Sequence, residues 1–192
     1  MGFTRAELES YRDAVVPDLI GPDCKLLFVG INPGLWTAAT GAHFARRGNR
    51  FYPALWRAGI VDRLIDASAG MSDDDRALLL DRGIGITNVV PRASARADEL
   101  TTEELVEGGR KLTETVTRVH PKVIAVAGIT AYRTAFGDSK ATAGRQDLTI
   151  GDTVVWVVPN PSGLNAHHTV DTLAEAYRAA AVEAGVVQES RQ

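Results

Sequence analysis

The sequence has one cysteine, Cys24, and no long hydrophobic run. A single cysteine cannot form an intramolecular disulfide or supply a multi-cysteine zinc or iron–sulfur site. No apolar run reaches the roughly 18 residues that a membrane-spanning helix requires. Positions 1–16 carry acidic residues and lack the basic-then-apolar order of a signal peptide. We therefore expect a cytoplasmic protein of bacterial type with no membrane partner.

The chain also lacks an excess of basic residues. It has 21 lysine and arginine residues against 24 aspartate and glutamate residues, which gives a net charge of −3 at pH 7. Taken alone, this balance argues against a nonspecific nucleic-acid-binding protein, because such proteins usually carry a basic excess. Local basic clusters can still bind phosphate on an acidic domain, so composition leaves the function open.

Hydrophobic residues make up 45% of the 192 residues and charged residues 23%, which is typical of a globular domain with a sizeable core. The sequence contains no internal repeat, low-complexity tract or Pro/Ser-rich linker. We expect a single domain over residues 1–187 and a loose tail at 188–192.

Short apolar runs alternate with helical patterns along the chain. The apolar runs predict buried strands at 25–30, 85–90, 123–128 and 153–159, with a short extra strand at 148–150 turned by Gly151 and Asp152. The helical patterns lie at 4–15, 49–58, 74–82, 101–119, 130–136 and 171–184. Continuous apolar runs are typical of a parallel sheet covered on both faces. The sequence thus predicts an α/β fold with a central, mainly parallel sheet flanked by helices.

Glycine, proline, asparagine and serine follow the predicted strands. GINPG at 30–34 follows the first strand, PRASAR at 91–96 the second, and NPSGLN at 160–165 the last. Ligands of open α/β sheets bind beyond the carboxyl ends of the strands, so a backbone-lined pocket is expected there. The spacings match neither a dinucleotide fingerprint, a P-loop nor a nucleophile elbow. The four histidines show no metal-ligand spacing, and we predict no metal and no cofactor.

Five segments in register resemble the mismatch-specific uracil/thymine-DNA glycosylase family. They are GINPG at 30–34, GAHFA with NRF at 41–51, GITNVVPR at 85–92, EGGRK at 107–111 and NPSGL at 160–164. Each motif alone is a weak signal, and their shared order and spacing carry the resemblance over residues 25–178. The resemblance implies a three-layer uracil-DNA glycosylase-like fold.

The resemblance also implies a reaction. The family's activity would be to flip uracil, and ethenocytosine-like adducts, out of G·U mismatches in double-stranded DNA. Water would attack C1′ and release the base, which starts base excision repair. The matched site offers no lysine for a Schiff base, so the enzyme should be monofunctional and leave the strand uncut. The expected partner is duplex DNA, and a monomer suits access to it.

Asn32 falls at the family's catalytic asparagine, where its side-chain carbonyl would hold the attacking water. An amide is not a strong general base, so catalysis should depend on positioning and on stabilising the departing base. Relatives with aspartate at this position are expected to be faster. On the loop alone, Asn-Pro-Gly is also favourable turn chemistry, which gives Asn32 a purely structural explanation.

The remaining pocket residues follow from the same resemblance. Phe44 matches the aromatic that stacks on the flipped base, and the N–H groups of Ile31 and Phe44 match the donors to the pyrimidine carbonyls. Gly34 completes the first loop. Asn88 would hold the water or read the base edge. Without the family, Phe44 is also compatible with an ordinary core residue and Asn88 with the end of a strand.

Two further positions concern the pyrimidine 5-substituent. Ser94 and Thr37 match positions near this group in the thymine-processing branch. A β-branched threonine at position 37 argues against efficient thymine removal.

The last loop resembles the wedge that enters the duplex and fills the gap left by the flipped nucleotide. Leu164 would be the inserted residue, and Gly163 would let the backbone read the opposite guanine. The complete set of wedge residues is Asn160, Pro161, Ser162, Gly163, Leu164 and Asn165. His167 and His168 would contact the widowed strand or lie in solvent. A basic cluster would suit phosphate contacts or a solvated surface; it comprises Arg46, Arg47, Arg50, Arg92 and Arg96.

Two other functions are also compatible with the sequence. One is a hypoxanthine- or xanthine-type DNA glycosylase with the same fold, whose differences would show at Thr37 and Asn88. The other is a non-catalytic α/β module that binds nucleotides or damaged DNA. Replacing Asn32 separates an enzyme from a binding module, because an enzyme loses turnover and keeps its affinity for DNA.

Overall fold

The computed structural model describes residues 2–190 and contains a five-stranded sheet with the strand order β2-β1-β3-β5-β4. The strands are β1 (Leu26–Gly30), β2 (Ile84–Asn88), β3 (Val123–Ala127), β4 (Gly144–Ile150) and β5 (Thr153–Val158). All neighbouring pairs are parallel except β4 with β5, which is antiparallel. The predicted α/β fold with a mainly parallel sheet is confirmed.

Helices cover both faces of this sheet. In the described part of the chain they are α1 (Arg5–Glu9), α2 (Leu35–Thr40), α3 (Phe51–Arg57), α4 (Asp73–Asp81), α5 (Thr102–Val119), α6 (Ile129–Phe136) and α7 (Val170–Glu183), with a short 3-10 helix at Ala97–Glu99. Side chains fix several helix starts. For example, Thr101 caps α5 and Glu104 bonds back to it, which is a capping box.

The core consists of two layers of side chains, one on each face of the sheet. Along β1, Leu26 and Phe28 pack toward α3 and α7, whereas Leu27 and Val29 pack toward α5 and α6. All four are 0% exposed. Successive side chains of a strand point to opposite faces, so a strand covered on both sides reads as a continuous apolar run.

Paired glycines let α5 pack closely against its neighbours. A Cβ on Gly108 would lie 2.4 Å from the carbonyl oxygen of Val89, and one on Gly109 would lie 2.3 Å from that of Ala135. These separations leave no room for a side chain. The glycines of the EGGRK motif therefore weaken the helix intrinsically, and they permit its approach to the end of β2 and to α6.

The helix predicted at 4–15 is wrong beyond its first turns. Its capping box at Thr4 is present, and α1 nevertheless ends at Glu9. Asp13 takes a positive φ of 64°, and Val15 then bridges Arg92 as extended chain. Helix α2 was not predicted, since it is short and follows Pro-Gly. Strand β4 is confirmed and is longer than the predicted 148–150.

Both ends of the chain are described only in part. Residues 188–190 are exposed and outside regular secondary structure, and Arg178 donates to the carbonyl of Gln188 at 3.1 Å. Residue 1 of the predicted domain and residues 191–192 of the predicted tail lie outside the described residues. None of the described helices is long and apolar enough to cross a membrane.

Candidate active site

A cavity of about 350 Å³ opens at the carboxyl ends of β1 and β2. The two strands end side by side, with Gly30 paired to Asn88. The cavity is lined by all of the predicted pocket residues, namely Ile31, Asn32, Gly34, Thr37, Phe44, Asn88 and Ser94. From the predicted wedge, Asn160, Ser162 and Leu164 also line it, whereas Pro161, Gly163 and Asn165 do not.

Asn32 is held by both hydrogens of its amide nitrogen. Nδ2 donates to the Arg92 carbonyl at 3.0 Å and to the Ser94 hydroxyl at 2.8 Å. Because a backbone carbonyl can only accept, the amide nitrogen must face Arg92. Oδ1 accepts no hydrogen bond from the described residues, and it is not among their fully buried unpartnered atoms. The carbonyl oxygen of Asn32 is thus the atom that this side chain offers to the cavity.

Ser94 holds the side-chain amide of Asn32 through a hydrogen bond. It is only 2% exposed, its hydroxyl donates to the Arg96 carbonyl at 2.7 Å, and the same oxygen accepts from Asn32. The backbone N–H of Ser94 donates to the Pro33 carbonyl at 3.1 Å, which ties the loop after β2 to the loop after β1. The structure therefore adds a contact that the sequence did not predict, between Ser94 and the catalytic candidate itself.

Asn88 is oriented by a buried histidine. The Nε2 atom of His43 lies 2.8 Å from the Pro17 carbonyl and must donate to it, which leaves Nδ1 as an acceptor. Asn88 Nδ2 lies 3.4 Å from that Nδ1. A Cβ on Gly30 would lie 2.5 Å from Asn88 Oδ1, so only glycine leaves room for this oxygen beside the cavity.

His43 is kept neutral by its surroundings. It is 5% exposed, and burial lowers its pKa below the ordinary value, more than the Pro17 carbonyl and the Asp18 carboxylate raise it. A neutral ring with a fixed tautomer presents one acceptor toward Asn88. Sequence reasoning missed this role, since a lone histidine carries no sign of its partner.

Phe44 forms one wall of the cavity. Its backbone has a positive φ of 55°, an uncommon conformation for a bulky residue that concentrates at functional sites. Its ring stacks on Phe51, with centroids 4.1 Å apart and an interplanar angle of 26°. Phe51 is 0% exposed and belongs to the core, so it fixes the plane of the Phe44 ring. The backbone N–H groups of Ile31 and Phe44 have no protein acceptor in the described part of the chain.

Thr37 lies on the first turn of α2, is 5% exposed and lines the same cavity. Gly34 starts this helix and forms an isolated bridge with Ser94. The helix ends where Gly41 takes a positive φ of 70°, which turns the chain back toward Phe44. The turn places Thr37 and Phe44 around one cavity.

The predicted wedge loop (residues 160–165) projects from the carboxyl end of β5. Oδ1 of Asn160 accepts from the Ser162 N–H at 2.9 Å, and Nδ2 of Asn165 donates to the Asn160 carbonyl at 3.0 Å. Leu164, at its tip, is 76% exposed. His167 is exposed, and His168 is half-buried beside Thr172.

The arginines of the predicted phosphate cluster differ in their partners. Arg92 pairs with Glu104 and Asp13 and lowers the pKa of Glu104 to about 2. Arg96 pairs with Asp98. Arg50 donates to backbone carbonyls. The side chain of Arg46 forms no hydrogen bond or ion pair with the described residues, and Arg46 lines the cavity.

Cysteine and metal chemistry find no candidates among the residues that the structure describes. Cys24 is buried away from the cavity, and burial raises the pKa of its thiol to about 11. No group of three or more His, Cys, Asp or Glu side chains that could hold a metal ion occurs between residues 2 and 190. The cavity offers amides, hydroxyls, backbone N–H groups and an aromatic face, and the charged residues Arg46, Arg96 and Asp98 also line it.

Comparison with known proteins agrees with this chemistry. A model of the uracil DNA glycosylase superfamily matches residues 17–183. The chain belongs to the uracil DNA glycosylase superfamily. Members of this superfamily are DNA glycosylases, hydrolases that act on DNA. The match begins after α1 and ends with the last residue of α7.

A solved structure agrees with the uracil DNA glycosylase fold. The chain is similar to a protein from Methanosarcina acetivorans whose solution NMR structure is named "putative uracil DNA glycosylase". The TM-score is 0.58 at 16% sequence identity, and the match covers 92% of this chain and 98% of that one. At this identity the similarity supports the fold alone. The family match to residues 17–183 confirms the superfamily part of the sequence-based expectation.

Proposed function

We propose that this member of the superfamily is a monofunctional, mismatch-specific uracil-DNA glycosylase. Its substrate would be uracil, or an ethenocytosine-like adduct, opposite guanine in double-stranded DNA. Water attack at C1′ would release the base and leave an abasic site. The monomeric state and the bacterial, cytoplasmic setting remain predictions.

The orientation of Asn32 carries this proposal. Both amide hydrogens are engaged by Arg92 and Ser94, so the carbonyl oxygen is directed to the cavity as a hydrogen-bond acceptor. A water molecule that donates to this oxygen can present a lone pair to C1′. Excision generates positive charge on the sugar and negative charge on the base, and fixed dipoles stabilise such a transition state without reorganisation. A turn-forming asparagine would need no such orientation.

The other cavity groups match a flipped pyrimidine. Phe44 offers an aromatic face held by Phe51, and base–aromatic stacking contributes about 1–3 kcal/mol. The free N–H groups of Ile31 and Phe44 suit the carbonyl oxygens of the base as it gains negative charge. Asn88 Oδ1 suits the N3–H group of uracil. Together these groups would bind a planar ring with alternating donors and acceptors.

Leu164 supports action on duplex DNA. A leucine that is 76% exposed at the tip of an internally bonded loop has no packing role in the protein itself. An apolar residue inserted into the base stack stabilises a step that has lost a base. We propose that the wedge loop enters the duplex while the flipped base occupies the adjacent cavity.

The test is an excision assay with labelled duplexes in the presence of EDTA. Each duplex carries one G·U pair, and alkali then cleaves the abasic sites. We expect strand cleavage that requires alkali and falls about 10²-fold or more in Asn32→Ala, the size of loss expected when a reacting group is no longer positioned. Gln146→Ala serves as the control, because it removes a side-chain amide that bonds to the Thr142 and Gly144 carbonyls and does not line the cavity.

The outcomes separate the alternatives. Cleavage without alkali would contradict a monofunctional enzyme. Intact G·U duplex with cleavage of hypoxanthine or xanthine duplexes would assign the second substrate class. No cleavage of any duplex, with binding of damaged DNA retained in Asn32→Ala, would identify a non-catalytic module.

A further inference from the structure

Arg50 packs against the wedge loop and donates to three of its carbonyl groups and to the carbonyl of His168, which follows it. Its backbone N–H donates to the Pro161 carbonyl at 2.9 Å. Its Nη2 donates to the carbonyls of Ser162 and Asn165, each at 2.6 Å, and its Nη1 donates to that of His168. The side chain of Arg50 therefore donates hydrogen bonds to carbonyl groups on both sides of Leu164.

No carboxylate takes part in this arrangement. Arg50 forms no ion pair with any described residue, and its Nε is buried without a hydrogen-bond partner among them. Arg50 is also absent from the lining of the base cavity. The guanidinium fork suits several converging carbonyls, because its five N–H donors are fixed in one plane.

The wedge loop packs closely against the segment that carries Arg50. A Cβ on Gly163 would lie 2.8 Å from the carbonyl oxygen of Gly48, so the wedge loop packs directly on the backbone two residues before Arg50. On its other side Arg50 precedes Phe51, which stacks on Phe44. Residues 48–51 thus join the wall of the base cavity to the wedge loop.

We propose that Arg50 is a positioning residue that holds the wedge loop in the shape needed to enter duplex DNA, in register with Phe44. This inference rests on the proposed function. It assigns Arg50 to the protein's own loop, in place of the phosphate contact or solvated position that the sequence left open. A lysine carries the same charge and lacks the planar fork, so it cannot replace the arginine.

The first experiment is independent of catalysis. Hydrogen exchange of the amides of residues 160–168 is compared between the wild type, Arg50→Lys and Arg50→Met. We expect faster exchange in this loop in both variants, with the β1 amides unchanged. The matched control is Arg57→Met, which removes an exposed arginine of α3 that pairs with Asp171. Unchanged exchange of the loop in Arg50→Lys would overturn the proposal, whatever the activity of the protein.

The second experiment measures single-turnover excision from a G·U duplex and from single-stranded DNA containing uracil. We expect the single-turnover excision rate of both Arg50 variants on the duplex to fall about 10- to 100-fold, which is the effect of a small misplacement of the wedge loop. Leu164→Ala should show the same pattern, and the single strand should be affected much less, since it needs no wedge. Should Arg50→Met fail to fold, the result for Arg50→Lys alone tests the proposal.

Salt dependence distinguishes positioning from phosphate binding. Loss of a phosphate contact lowers the slope of log affinity against log salt by about 1. Loss of a residue that only positions the wedge loop leaves this slope unchanged. Wild-type duplex activity in Arg50→Lys, or a reduced slope in Arg50→Met, would identify a phosphate contact and overturn the proposal. Equal losses on both DNA substrates would also overturn it. A wild type that excises no base at all would instead refute the proposed function.

Discussion

The hydroxyl of Ser94 lies 2.8 Å from the amide nitrogen of Asn32 and donates its own hydrogen to the Arg96 carbonyl. The serine is therefore restricted to the role of acceptor toward Asn32. It holds the amide in the orientation that directs Oδ1 into the cavity. The two loops that follow β1 and β2 are joined at this hydrogen bond.

Removal of this support should affect catalysis more than DNA binding. We expect Ser94→Ala to lower the single-turnover excision rate about fivefold, the effect of one net hydrogen bond of about 1 kcal/mol. The dissociation constant for DNA should stay unchanged, because Asn32 would orient the water and not the strand. Ser10→Ala, at an exposed position near the amino terminus, is the control. A loss in affinity at an unchanged rate would assign Ser94 to base or strand binding.

Replacing Asn32 by aspartate should not create a faster enzyme here. A carboxylate would place a negatively charged oxygen about 3 Å from the Arg92 carbonyl, where the amide nitrogen now donates. We expect Asn32→Asp to lose about 1–3 kcal/mol in the free energy of unfolding at pH 7, the cost of an unmet buried acceptor. Protonation of the new carboxyl restores a donor, so the loss should shrink as pH falls.

Asn49→Asp provides the matched control for this experiment. Asn49 uses its side-chain oxygen to accept from the Phe51 N–H, and aspartate retains this acceptor. Its free energy of unfolding should therefore change little in urea titrations at pH 5 and pH 7. Higher activity in Asn32→Asp at neutral pH would show that the Arg92 carbonyl moves away.

Thr37 should limit the cavity to pyrimidines without a 5-methyl group. It is almost fully buried and lines the cavity, so a smaller side chain would enlarge the space available to the base. We expect Thr37→Ala to raise excision from G·T relative to G·U by about tenfold, within the range of one methyl group in an apolar pocket. Thr134→Ala on α6 is the control. An unchanged ratio would remove Thr37 from base selection.

The sequence predicts the sheet and most helices because their signals are local. Apolar runs as long as a strand mark the buried sheet, and capping residues such as Thr101 mark helix starts. The failure at α1 has the same origin. A capping box specifies where a helix begins, and the contact of Asp13 with Ala93, which ends the helical path, is distant in sequence.

The site was predictable in its loops and not in its supporting contacts. GINPG and NPSGL carry the resemblance because their residues are adjacent in sequence. The supports of those loops join residues that are 45 or more positions apart: His43 with Asn88, Asn32 with Ser94, and Arg50 with Ser162. The sequence placed Arg50 and Arg92 in one basic cluster suited to phosphate contacts or to a solvated surface, whereas the structure gives both of them protein partners.

The glycines of α5 should be required for packing in spite of their low helix propensity. Alanine at position 109 would gain about 1 kcal/mol in propensity. Its Cβ, however, would lie 2.3 Å from the Ala135 carbonyl oxygen, and overpacking typically costs about 1–3 kcal/mol. We expect a net loss in the free energy of unfolding, measured in urea. Gly34→Ala, whose Cβ would meet no atom within 4 Å, should be neutral in the same assay.

His43 should make both stability and excision sensitive to mild acid. Its folded pKa is lowered by burial from the ordinary 6.5, so the unfolded chain binds a proton more readily. The free energy of unfolding should therefore fall as pH drops below about 6.5, until pH passes the lowered folded pKa, where the loss is complete. Protonated Nδ1 would also face the Asn88 amide as a second donor, which should reduce the excision rate over the same window.

The measurement is a series of urea titrations and single-turnover rates between pH 5 and pH 8. His43→Gln should be less stable than the wild type at pH 8 and should show a flatter pH dependence. His120→Gln, which changes an exposed histidine at the end of α5, should retain the wild-type profile. Glu104 should not contribute to the pH dependence between pH 5 and pH 8, because Arg92 holds its pKa at about 2. An identical pH profile in His43→Gln would show that another group governs the acid response.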